Sequence, residues 1–80
     1  MNQSLFERVQ QIVSDIFDLP KQMVTPASSP DTIEGWDSLQ HLSLTLALEQ
    51  EFEVQFTPEE IEQLLSVELI VDLLEEKLAT

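Results

Sequence analysis

Asp37, Ser38 and His41 lie close together in the stretch Gly35-Trp36-Asp37-Ser38-Leu39-Gln40-His41. A serine, a carboxylate and an imidazole are the parts of a nucleophilic hydrolase, but a working triad also needs the histidine oriented by a carboxylate and an oxyanion hole beside the serine. The surroundings of Ser38 do not match the G-x-S-x-G elbow that builds such a site. Lacking a strong base of its own, Ser38 reads instead as the acceptor of a group delivered by another enzyme. At the first turn of a helix, unpaired N–H groups and the backbone dipole favour an anionic phosphodiester on that oxygen. Asp37 or Ser38 acting only as a helix cap fits the same residues. The acidic residues Asp31, Glu34 and Asp37 do not have the spacing of a calcium loop, since Ile33 and Gly35 fall where oxygen ligands belong.

The rest of the chain must position that serine. It has 80 residues, 42% of them apolar, enough for one small domain over residues 1–80 and too few for two. Three Lys and Arg face 16 Asp and Glu, a net charge of −13. Nucleic acid is thereby a poor partner, because binding it takes cations, whereas basic protein surfaces are good ones. With no cysteine, disulfides, thiolate metal sites and a cysteine nucleophile are excluded, and any thiol chemistry must be imported. Met1-Asn2-Gln3-Ser4 is not a basic leader, and charges such as Glu68 and Asp72 break the leucine-rich stretches before they reach membrane-span length. The expected address is the cytoplasm.

Ser4-Leu5-Phe6-Glu7 reads as a capping box that opens a first helix from Ser4 to Phe17, with Leu5, Val9, Ile12, Val13 and Ile16 on one stripe until Pro20. Asp18 to Asp37 carries Pro20, Pro26, Pro30 and Gly35 and reads as a long loop, pinned by Val24, Ile33 and Trp36. A second helix from Ser38 to Phe52 has two apolar sides: Leu39, Leu42 and Leu46 on one, Leu44, Leu48 and Phe52 nearly opposite. Val54-Gln55-Phe56 is a short extended candidate. Thr57-Pro58-Glu59-Glu60 opens a third helix, Pro58 to Leu65. Ser66 caps a fourth, carrying Val67, Ile70, Val71, Leu74 and Leu78. The expected fold is all-α, a small four-helix bundle with a long loop between helices one and two.

Asp37-Ser38-Leu39 at the start of the second helix, Leu48-Glu49-Gln50-Glu51-Phe52 at its close, and the Pro-Glu-Glu opening of the third helix together resemble the acyl carrier proteins over nearly the whole chain. The resemblance implies that Ser38 receives 4'-phosphopantetheine from coenzyme A through a phosphopantetheinyl transferase, which brings the Mg2+ and the base. Asp37 and Leu39 match the flanking residues that the transferase reads. The arm's thiol would supply the missing cysteine chemistry, carrying cargo as a thioester to acyl-loading, condensing or transferring enzymes with basic docking surfaces.

The second and fifth residues after the serine, typically acidic in carriers of fatty-acid synthesis, are Gln40 and Ser43 here. Docking would then fall to Glu49, Glu51 and the acidic loop, with Leu39 and Leu46 as the apolar contact. Trp36 and His41 flank the motif in a W-D-S-L-x-H manner that resembles stand-alone carriers of specialised pathways. Trp36 reads as a plug for the loop ahead of a ligand contact, and His41 as a surface side chain ahead of a contact to the arm or a partner. The expectation is a monomeric carrier, not an enzyme, of a fatty-acid, polyketide or related pathway. The alternatives are an aminoacyl or peptidyl carrier and a helical interaction module without a prosthetic group.

Overall fold

Leu5, Phe6, Val9 and Val13 recur at helical spacing and are buried along one face of α1 (Gln3–Phe17) in a computed structural model that describes residues 2–79. The expected Ser4–Glu7 capping box does not form. Asn2 is the cap instead, its side-chain oxygen accepting from the Leu5 N–H at 3.1 Å, and Ser4 lies inside the helix. Asparagine caps as well as serine does. The Asn2 backbone N–H also donates to Glu75 at 2.6 Å, which ties the start of α1 to the last helix. At the other end Asp18 takes a left-handed conformation at φ 54°, and the Ser14 hydroxyl donates to the Leu19 carbonyl before Pro20 turns the chain away.

The long connection wraps the core, as its three apolar anchors require: Val24, Ile33 and Trp36 are all buried. It begins with a single 3-10 turn at Lys21–Met23, held by the Gln10 amide, which donates to the carbonyls of Lys21 at 2.7 Å and Val24 at 3.0 Å. Farther on, the carbonyls of Pro26 and Ser28 accept from the N–H groups of Glu68 and Val67, both at 2.9 Å. The loop thus satisfies donors that the start of the last helix would otherwise leave unpaired. Gly35, at φ 91°, takes the left-handed turn that aims the chain at Trp36 and the second helix.

That helix, α2 (Ser38–Phe52), separates its two apolar sides. Leu44, Leu48 and Phe52 are buried, while Leu39, Leu42 and Leu46 are exposed. The 54–56 run after it is irregular, with no strand among the described residues. α3 (Pro58–Gln63) opens on the expected capping box, Thr57 Oγ1 accepting from Glu60 N–H at 3.1 Å and Glu60 accepting from Thr57 N–H at 2.9 Å. The Thr57 backbone N–H and then the Lys77 ammonium, 2.9 Å away, hold the Glu60 carboxyl below its usual range. α4 (Val67–Leu78) is capped by Ser66, whose hydroxyl accepts from Leu69 at 3.2 Å. It buries Val67, Ile70, Val71 and Leu74, whereas Leu78 at its end stays exposed. α1 packs on both α2 and α4, so the described chain is an all-helical bundle with one long crossing loop.

Candidate functional site

Asp37 and Ser38 divide the roles that the sequence leaves open between them. Asp37 caps α2, its Oδ1 accepting from the Gln40 N–H at 2.9 Å. Ser38, the first helical residue, is exposed, and its hydroxyl makes no hydrogen bond to any described residue. Thr45 by contrast donates to the His41 carbonyl at 2.8 Å, and Ser66 and Thr57 cap helices; Ser4 and Ser43 are exposed and unbonded among the described residues as well, but neither opens a helix. The N–H groups of Ser38 and Leu39 have no acceptor among the described residues, which leaves two donors beside the hydroxyl for an anion carried on it.

His41 is not the surface side chain that its isolated position implies. It is half-buried with both ring nitrogens bonded: Nδ1 accepts from Trp36 Nε1–H at 2.9 Å, and Nε2 meets the Ile61 carbonyl at 2.8 Å. Trp36 is donor only and the carbonyl acceptor only, so the network assigns the proton to Nε2. Neither nitrogen is turned to Ser38, and no hydrolytic dyad forms. Trp36 is the plug expected of it, buried to 5% exposure, with its ring 5.4 Å from Phe17 on one side and 6.1 Å from the His41 ring on the other.

A groove of about 590 Å³ opens beside Ser38. Trp36 and His41 line it together with Leu42 and Leu65, and the carboxylates of Asp37 and Glu62 belong to its lining. The contribution of Leu65 and Glu62 was not evident from sequence. The available signal is the Leu64-Leu65 pair after a short helix, of which only one can turn inward: Leu64 is 1% exposed and Leu65 56%. The groove has room for a flexible, partly apolar group, and Trp36, Leu42 and Leu65 give it an apolar lining next to Ser38.

The expected docking residues are not one continuous face. Leu39 and Leu46 are exposed on the side of α2 away from the core. Glu49 is half-buried and accepts from the Phe56 N–H at 2.9 Å, fastening the turn after α2. Glu51 turns toward α1, paired with Arg8 at 2.8 Å, and the same guanidinium lies over the Phe52 ring at 4.4 Å.

Comparison with known proteins agrees with this geometry. Residues 7–74 match the family described as the phosphopantetheine attachment site. The chain is 43% identical over 75 residues to an acyl carrier protein of Petrotoga mobilis, covering 92% of this chain and 87% of that one. It is 38% identical over 80 residues to one of Thermosynechococcus vestitus, covering 99% of each. A third, of Guillardia theta, is 31% identical over 77 residues, covering 96% of this chain and 95% of its own. With an accessible serine opening α2, a groove beside it and these relatives along nearly its full length, the chain belongs to the phosphopantetheine-dependent acyl carrier proteins.

Proposed function

We propose that Ser38 is the attachment point and that residues 1–80 form a single, non-catalytic carrier domain. The observation that carries this is the exposed, unbonded Ser38 hydroxyl at the first position of α2, next to two free backbone donors. In the loading step the Ser38 oxygen attacks the β-phosphorus of coenzyme A. The bond from that phosphorus to the bridging oxygen breaks, 3',5'-adenosine bisphosphate leaves, and the serine proton passes to a base on the transferase. The phosphodiester then sits where the helix dipole favours negative charge. When bound, the group supplies a thiol that carries acyl cargo as a thioester.

Asp37 holds the helix start in place for the transferase, and Leu39, 72% exposed, gives it an apolar contact. Partner enzymes meet Leu39 and Leu46, with Asp37 and Glu62 at the groove as the acidic complement to basic docking sites, and Glu49 contributes the charge that its bond to the Phe56 N–H leaves in place. Glu51 joins them by exchanging its exposed pairing with Arg8, a cheap substitution at a surface. No helix among the described residues is long and apolar enough to cross a membrane, and we place the carrier in the cytoplasm as a monomer. Its cargo is an acyl intermediate of a fatty-acid, polyketide or related specialised pathway.

Incubation with coenzyme A, Mg2+ and a broad-specificity transferase, read by intact mass, tests the reading. The wild type gains one phosphopantetheine and Ser38→Ala gains none. An unmodified wild type would point to an interaction module instead.

A further inference from the structure

We propose that His41 determines where this carrier keeps its cargo: it latches α2 to α3 and to Trp36, closing the way from the Ser38 groove to the core, so that an acyl group stays in the groove. The inference rests on Ser38 as the attachment point.

The latch adds directed bonds to the apolar packing of Ile61 against the core. The His41–Ile61 contact at 2.8 Å is the one hydrogen bond between α2 and α3 among the described residues. Through its other nitrogen the same ring holds Trp36 at 2.9 Å, and Trp36 is backed by Phe17. His41 lines the groove, while Leu44, Leu48 and Thr45, within two turns of it on α2, are at most 2% exposed. Histidine and tryptophan therefore stand between the groove and the core leucines. To pass, a chain would have to break one bond or both.

The consequence is a carrier that treats cargo of different lengths alike. Burying even two methylenes favours a sheltered state about tenfold, so an open core would draw in a long alkyl chain and slow its release. A latched core closes that deep shelter: a long acyl chain can touch Trp36, Leu42 and Leu65 in the open groove, but its thioester stays as reachable as that of a short one.

The test loads wild type and His41→Ala with acetyl- and octanoyl-phosphopantetheine from the corresponding acyl coenzyme A. Intact mass first verifies one addition, and hydroxylamine cleavage of the thioester is then compared with the leucine methyl NMR signals. In the wild type the two thioesters are expected to cleave at the same rate, with octanoyl moving the signals of Leu42 and Leu65 but not those of Leu44 and Leu48. In His41→Ala the octanoyl thioester should cleave about tenfold more slowly than the acetyl one, the shelter that two buried methylenes provide, and Leu44 and Leu48 should move. A wild type that already protects octanoyl, or a folded variant that still does not, overturns the latch. Should His41→Ala fail to fold, Trp36→Phe cuts one of the two bonds and must shift protection in the same direction. Absence of any mass addition would instead sink the Ser38 assignment.

Discussion

Trp36 donates its indole N–H to Nδ1 of His41 at 2.9 Å, joining the residue before the Asp37 cap to the first turn of α2. The bond fixes the approach of the loop to the helix that presents Ser38. It also makes His41 a shared partner, since its other nitrogen holds the Ile61 carbonyl at the same time.

Removing the imidazole strands a donor and an acceptor together. His41→Ala is expected to cost about 2 kcal/mol in urea unfolding, and Trp36→Phe, which removes one donor and keeps most of the ring, about 1 kcal/mol. Unfolding midpoints equal to wild type in both would show that neither bond contributes.

The two sides of α2 should respond oppositely to truncation. Leu48 is fully buried, so Leu48→Ala should destabilise the fold by about 2–5 kcal/mol. Leu46 is 59% exposed, so Leu46→Ala should stay within about 0.5 kcal/mol while lowering partner turnover. Loss of stability at Leu46, or unchanged turnover there, would contradict the assignment of the outer side to partners.

Glu60 has a lowered pKa, so its contribution to stability is present above the ordinary carboxylate range and is lost as pH falls through the folded-state value. Glutamine can keep the oxygen that accepts from Thr57 but not the charge paired with Lys77. The melting temperature of Glu60→Gln should lie below wild type at neutral pH and converge with it in acid, as pH falls below the ordinary carboxylate range. A gap that persists or widens in acid would reverse the sign of the proposed effect.

Net charge of −13 in so small a fold is self-repulsive, and salt screens it within about 10 Å at 0.1 M. Added salt should raise the melting temperature while lowering turnover with basic partner enzymes, because the same screening weakens attraction between molecules. Both quantities are measured in one titration, and insensitivity of either removes its electrostatic explanation.

The helices were legible where periodicity and caps agree. α2 begins and ends at the expected residues, and the Thr57–Glu60 box forms as read. The loop anchors Val24, Ile33 and Trp36 were legible because apolar residues among prolines and polar residues have few other uses. The start of α1 was not, since Asn2 and Ser4 are both good caps and the choice falls to the Asn2 contact with Glu75 across the bundle. The burial of His41 was equally hidden, for its partner is a main-chain carbonyl twenty positions away, and any residue type supplies one. The groove beside Ser38 needs α2 and the end of α3 side by side, a relation that no local pattern states.

The role of Ser38 is decided by the site of modification in protein isolated from its own cells. Cleavage after glutamate releases residues 35–49, which contain Ser38, Ser43 and Thr45, and fragmentation distinguishes them. A phosphopantetheine is expected on Ser38 alone. An arm found on Ser43, on any other hydroxyl, or nowhere in cells that contain the transferase would contradict it.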